Sequence, residues 1–319
     1  MSAARFPILV GPTAGGKSAL AVALAQELGR RGVPAEIVTA DAYQIYTGMD
    51  IGTAKPSAAE RAGVPHHLLD LVSPHDPGPA FTVHDWLARA TPLIDELRAR
   101  GAVPIVVGGT HLYAKALLDG LFEGPEPDAA LRAELSSKPL EQLRTELERV
   151  DPAAAARIHF NDQRRTVRAL EVFRLTGTPI SALQSQWDRG ARADAMLVGL
   201  EWEKDAINAR INQRVKLMMQ QGLLEELRRL LALGPLSTQA REALGYKQLL
   251  SHLEGRATLE DAVEEIKVQT RRFAKNQRTW LKRLRLTPGS VWLAGDREAA
   301  ELAREVADRL LVGNAGQAK

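Results

Sequence analysis

The 319-residue chain contains no cysteine. That excludes a disulfide scaffold, cysteine-ligated zinc or iron–sulfur clusters and a thiol nucleophile, and it agrees with a reducing, cytoplasmic location. No run reaches the roughly 18–20 apolar residues that span a bilayer, so no membrane segment is expected. Met1 to Pro7 is too short and polar for a secretory leader, and a strand-like run follows at once. No coiled-coil seam suggests assembly, so a monomer is expected. Charge of one sign is scarce overall: 42 basic against 39 acidic residues leave only +3. Locally the balance differs. Val268 to Arg285 holds Arg271, Arg272, Lys275, Arg278, Lys282, Arg283 and Arg285 and not one acid. Such a concentration points to a polyanion.

What is present is an ordinary globular mixture, 45% hydrophobic and 25% charged. The first half alternates strand-like and helix-like segments. Ile8-Leu9-Val10 is a short apolar run, and Leu20, Leu24 and Leu28 follow at helical spacing. Glu36 to Ala40 reads as a second strand ending at Asp41. Thr82, with Asp85 three positions on, caps a helix that carries Trp86, Ala90, Leu93 and Leu97. Val103 to Val107 is a third strand, broken by Gly108-Gly109. The expected fold class is α/β, a phosphate-loop parallel sheet flanked by helices. Pro125, Pro127 and Pro139 mark 121–139 as a linker with a short helix inside. Helical patterns at Leu140–Val150 and Gln163–Thr176 then suggest a small all-helical insertion domain. Met196 to Leu200 returns as a strand. Long helices are expected over Asp205–Leu233 and Leu259–Leu284, with a last strand at Val291-Trp292-Leu293. The expected domains are a core over 1–121, a helical insertion over 122–190 and the rest of the core, with the basic helix, over 191–319.

Gly11-Pro12-Thr13-Ala14-Gly15-Gly16-Lys17-Ser18 matches the phosphate-loop, or nucleotide-binding, pattern G-x-x-x-x-G-K-[ST] between a strand and a helix. Glycines let backbone N–H groups point into a concave nest, and the helix N-terminus adds positive potential. Lys17 brings a charge to phosphate oxygens, and Ser18 offers a hydroxyl to magnesium. The loop accepts a diphosphate as readily as the end of ATP. A typical ATPase would place an acid at the end of an apolar strand, and the 103–107 strand ends in Gly108-Gly109-Thr110. Asp41 is the acid at a strand's carboxyl end beside the loop, suited to magnesium or to a base's role. A kinase of a small metabolite or nucleotide and a non-catalytic RNA-binding protein therefore both stay open at this point.

Asp41 to Pro56 is not explained by packing: it has too many polar and glycine positions for a buried strand and reads as a shaped functional loop. His66 and His67 form no zinc-site spacing. Arg164, Arg165 and Arg168 share a helix face opposite Val167, Leu170 and Phe173. Arg210 and Arg214 lie one turn apart, and their forked donors suit a diphosphate. In 259–284, Val263, Ile266, Phe273, Trp280 and Leu284 form a packing stripe. Arg271, Lys275, Arg278 and Lys282 form a cationic row that favours nucleic-acid backbone.

Taken together, the chain closely resembles the tRNA dimethylallyltransferase family over nearly its whole length. The resemblance rests on GPTAGGKS at 11–18, DAYQIYTGMDIGTAKP at 41–56, PHHLLDL at 65–71 and VVGGTHLYAKALLDGL at 106–121. It continues through DPAAAARIHFND at 151–162, RALEVFRLTG at 168–177, RINQR at 210–214, ALGYKQL at 243–249 and TRRFAKNQRTWLKR at 270–283. It implies transfer of a dimethylallyl group from dimethylallyl diphosphate to N6 of the adenosine 3′-adjacent to the tRNA anticodon, with Mg²⁺. By resemblance, Asp41 is the general base, Thr110 helps to hold the amine, and Lys17, Ser18 with Mg²⁺, Arg214 and the backbone of 13–18 stabilise the leaving diphosphate. The anticodon stem-loop would be met by Asp41, Ala42, Tyr43, Gln44, Thr110, Arg132, Arg164, Arg165, Arg168, Gly245, Tyr246 and Lys247. Ala42, Arg164 and Glu242 depart from the residues frequent in the family, which have serine, glutamine and arginine there.

Overall fold

The computed structural model describes residues 5–121, 124–183, 192 and 194–315. It divides the chain into two compact units, one of Met1–Leu118 with Arg192–Lys319 and one of Asp119–Ala191. The boundaries expected at residues 122, 190 and 191 fall outside the described residues.

Among the described residues the larger unit holds six strands: β1 Phe6–Val10, β2 Ala35–Thr39, β3 His66–His67, β4 Val103–Val107, β5 Ala195–Glu201 and β6 Val291–Ala294. They pair in the order β3-β2-β4-β1-β5-β6, and every ladder is parallel. Its helices are α1 Lys17–Arg30, α2 Ala58–Arg61, α3 Val83–Ala99 and α4 His111–Asp119, the last reaching the unit boundary. In the smaller unit follow α5 Ala129–Ser136, α6 Leu140–Val150, α7 Pro152–Arg157, α8 Gln163–Thr176 and α9 Ile180–Leu183. The larger unit resumes with α10 Lys204–Gln220, α11 Leu223–Leu233, α12 Thr238–Arg241, α13 Tyr246–Leu253, α14 Leu259–Leu284 and α15 Ala299–Ala315.

Strand residues alternate between two cores, as a pleated strand requires. Leu9, Ile37, Ile105, Val107 and Val198 join Leu20, Leu24 and Leu28 of α1 and Leu302, Val306 and Leu310 of α15. Phe6, Ile8, Val10, Val38, Val106 and Leu197 join Trp86 and Ile94 of α3, Tyr113 of α4 and Leu281 of α14. Each buried leucine contributes about 2 kcal/mol. Trp86 is fully buried; its indole N–H donates to the Thr39 carbonyl at 2.8 Å and its ring stacks on Tyr113. The Thr82–Asp85 capping box that starts α3 is formed.

Two expectations are corrected. The helix expected over Asp205–Leu233 is broken, because Gly222 takes φ 96° and starts α11 afresh. In that left-handed region glycine carries no Cβ penalty. The segment 41–56 is a loop, but packing does anchor it: Ile45, Tyr46 and Met49 are buried with Leu223 and Leu227 of α11 and Ile266 of α14. Among its described residues the smaller unit has helices alone as regular elements, packed around Leu135, Leu143, Leu147, Val167 and Leu170. Asp162 caps α8 through the Arg165 N–H, and Gly177 ends it at φ 69°.

Candidate active site

Residues 11–16 run from the carboxyl end of β1 into α1. Ala14 and Gly16 take left-handed φ of 59° and 85°. Gly15 leaves no room for a Cβ, which would lie 2.8 Å from the Pro12 carbonyl oxygen. No side chain caps α1, so its first-turn N–H groups remain available to an anion. The Lys17 ammonium is buried and donates to the Gly11 and Pro12 carbonyls at 3.1 and 2.8 Å. Burial, reinforced by the Arg214 cation and opposed by Asp41, lowers its pKa to about 8. Below the loop lies His111, 3% exposed. Burial and the Lys17 charge hold its pKa down at about 3, so it is neutral.

Asp41 follows β2. Its Oδ1 accepts the Tyr43 and Gln44 N–H groups at 2.9 and 3.3 Å. The Asp41 side chain comes close to Gly109, because β2 and β4 end in close approach. A Cβ on Gly108 would lie 1.9 Å from the Ala40 carbonyl oxygen, and one on Gly109 would lie 3.3 Å from Asp41 Oδ2. Asp41, Lys17, Ser18 and Arg214 line one cavity, which also meets His66 and Phe273. Arg214 projects from α10; burial lowers its pKa and Asp41 acts against that shift. Its neighbour Arg210 has a separate task. It stacks 4.7 Å over Trp202 and donates to the Ala14 carbonyl at 2.9 Å, bracing the loop from the exposed side.

Several site expectations change. Thr110 does not line the cavity; its hydroxyl accepts the Ala42 N–H at 3.0 Å, beside Asp41. The Thr13 N–H, expected in the phosphate nest, donates instead to Gln277 Oε1 at 2.7 Å. Gln44 lines the cavity, and its Nε2 donates to the Thr53 and Ala54 carbonyls, closing the loop on itself. Tyr246 is fully buried, with its hydroxyl donating to Glu226 at 2.5 Å, and Gly245 is buried too. The Tyr246 side chain is thus a core group in this structure, not an RNA-facing one. Lys247 is exposed and pairs with Glu242 at 2.6 Å. Phe273, placed by its spacing in a packing stripe, is 42% exposed and faces the cavity. The buried stripe of α14 is Ala262, Ile266, Ala274, Gln277, Leu281 and Leu284.

The cationic row is only partly paired. Arg271 donates to Asn212 at 2.6 Å and meets Glu264 at 3.5 Å, so it is not free of acids. Arg285 pairs with Glu201. Lys275 and Lys282 are exposed and Arg278 is half-buried.

Residues with no local signal brace the 41–56 loop. Glu226, 2% exposed, accepts the N–H groups of Asp50, Ile51 and Gly52 as well as the Tyr246 hydroxyl. Lys55 is buried and donates to the Tyr46 carbonyl, Asp50 and Asp70 at 2.8, 2.6 and 2.5 Å. These charge-assisted bonds offset the desolvation of both ions.

In the smaller unit, Arg132 and Arg168 meet the two oxygens of the fully buried Glu171 at 2.8 and 2.6 Å. Arg164 and Arg165 are exposed. Phe160 is 62% exposed and stacks on His159 with ring centroids 4.6 Å apart.

A phosphate loop sharing its cavity with the aspartate that follows β2, while β4 ends in Gly108-Gly109-Thr110 without an acid, narrows the choice of family. The family profile described as IPP transferase matches residues 44–284, and one described as isopentenyl transferase matches residues 4–75. The tRNA dimethylallyltransferase of Anaeromyxobacter dehalogenans (strain 2CP-C) is 45% identical over 96% of this chain and 100% of its own length. This chain belongs to the tRNA dimethylallyltransferase family. Another member, from Symbiobacterium thermophilum, is 44% identical over 95% of each chain. Among solved structures, the tRNA isopentenylpyrophosphate transferase of Bacillus halodurans superposes with TM-score 0.70 at 37% identity, covering 98% of this chain and 97% of that one. A eukaryotic dimethylallyltransferase acting on tRNA gives TM-score 0.81 at 25% identity, covering 98% and 80%. As a member of the family the chain is a transferase. Among the described residues no helix is long and apolar enough to cross a membrane.

Proposed function

We propose that this enzyme transfers a dimethylallyl group from dimethylallyl diphosphate to N6 of the adenosine 3′-adjacent to the anticodon of tRNA. The observation that carries the reading is one cavity lined by the cations Lys17 and Arg214 together with the Asp41 carboxylate. In the reaction the adenine N6 bonds to the allylic carbon, the carbon–oxygen bond breaks, and diphosphate leaves with the electron pair. Lys17, Arg214 and the open amides of α1 stabilise the negative charge gathering on the leaving oxygens. The N6 proton passes to Asp41, whose Oδ1 is already engaged by two N–H groups and whose Oδ2 takes the proton. The target base leaves its stack to reach the carboxylate.

The residues present fit magnesium. Ser18 presents an exposed hydroxyl in the cavity, and the described residues hold no cluster of three or more His, Asp or Glu side chains for a closed metal cage. Ser18 would hold the ion, which supplies positive charge to the diphosphate when bound. The free cations Lys275 and Lys282, with Arg164, Arg165 and the exposed Phe160, suit an RNA strand. We read the enzyme as acting in the cytoplasm as a monomer.

The test mixes the protein with unmodified tRNA, dimethylallyl diphosphate and Mg²⁺, without ATP. One prenyl mass gain on one adenosine supports the reading. Turnover that requires ATP favours a kinase, and binding without turnover favours a non-catalytic RNA-binding protein. Asp41→Asn should slow single turnover by about 100- to 10,000-fold while tRNA affinity stays within about threefold.

A further inference from the structure

Gln277 lies on α14 between Lys275 and Arg278, one turn from Phe273, and is 3% exposed. Its Oε1 accepts the Thr13 N–H at 2.7 Å, and its Nε2 donates to the Gly109 carbonyl at 2.9 Å. Thr13 belongs to the phosphate loop. Gly109 lies two residues past the carboxyl end of β4, where the next residue, Thr110, binds the Ala42 N–H beside Asp41. One carboxamide therefore ties the leaving-group side of the cavity to the proton-accepting side. Packing does not explain the choice of residue, since its stripe neighbours Ala274, Leu281 and Leu284 are apolar. A buried amide is tolerated only where both its ends find partners, and here each end meets a different wall of the site.

We propose that Gln277 is a positioning residue for the transfer reaction, fixing the separation between the phosphate loop and the Asp41 edge; this rests on the transferase reading above. Small errors in that separation act on the rate rather than on binding, because reacting groups must meet in a narrow range of distance.

Two variants test it, Gln277→Leu and Gln277→Glu. Gln277→Leu removes both hydrogen bonds and should slow single turnover by about 10- to 100-fold. Affinities for tRNA and for a non-reactive dimethylallyl diphosphate analogue should move by less than about threefold. Gln277→Glu carries the sharper readout. Ionised, the carboxylate accepts from Thr13 but sets an oxygen against the Gly109 carbonyl. Protonated, it donates and accepts as the amide does. Its rate relative to wild type should therefore climb at least about fivefold between about pH 8 and about pH 6, while the Gln277→Leu ratio stays flat. A Gln277→Leu rate above half of wild type, or a flat Gln277→Glu ratio, overturns the proposal. If Gln277→Leu shows no cooperative thermal transition, the Gln277→Glu profile alone decides. Wild-type protein that transfers nothing to tRNA would instead overturn the underlying transferase reading.

Discussion

Lys17 gives the most direct link between this structure and a measurement. Its ammonium is buried beside Arg214, and its pKa falls to about 8. The sign follows from the charge: the group is cationic below that value and neutral above it, so attraction for diphosphate weakens as pH rises. With a pKa of about 8, the protonated fraction drops from about 0.76 at about pH 7.5 to about 0.09 at about pH 9. If the cationic form is the one that binds, affinity for a non-reactive dimethylallyl diphosphate analogue should fall about eightfold over that interval. The analogue is titrated by calorimetry without metal, and its diphosphate charge is constant over the same range. Lys17→Arg keeps a cation that does not titrate and should flatten the profile; Lys17→Met should bind weakly at every pH. A wild-type profile without the step, or a step that persists in Lys17→Arg, would refute the assignment of this titration to Lys17.

Four further variants have defined outcomes. Gly108→Ala forces a Cβ to within 1.9 Å of the Ala40 carbonyl oxygen and should cost about 2–3 kcal/mol in urea unfolding. Glu226→Gln turns an amide donor toward N–H groups that now have an acceptor, so about 2–4 kcal/mol of stability should be lost, read as a lower thermal midpoint. Phe160→Ala should weaken binding of an anticodon stem-loop about five- to tenfold while leaving the salt dependence of binding unchanged. Arg165→Ala should instead make that salt dependence shallower, because a phosphate contact releases counterions and a stacking contact does not.

Local chemistry wrote much of this protein plainly into its sequence. The phosphate loop, the 103–107 strand, and the helices at 140–150, 163–176 and 259–284 stand where period and capping place them. Each of these signals acts between residues a few positions apart. Asp41 was legible for the same reason, as an acid at the end of a short apolar strand. The helix broken at Gly222 marks the limit of periodicity: apolar residues continue on both sides, and the backbone angle at one glycine divides them.

The rest depended on residues meeting across the fold. Gln277 reaches Thr13 over a separation of 264 positions, and Glu226 reaches Ile51 over 175. A polar residue in a cationic helix, or an acid among leucines, carries no mark of such a partner. Burial likewise turned Tyr246 inward and left Phe273 at the cavity, although helical spacing alone suggests the opposite for Phe273. Periodicity records which residues share a face of a helix. What lies against that face depends on how distant segments pack, and that arrangement exists only in the folded chain.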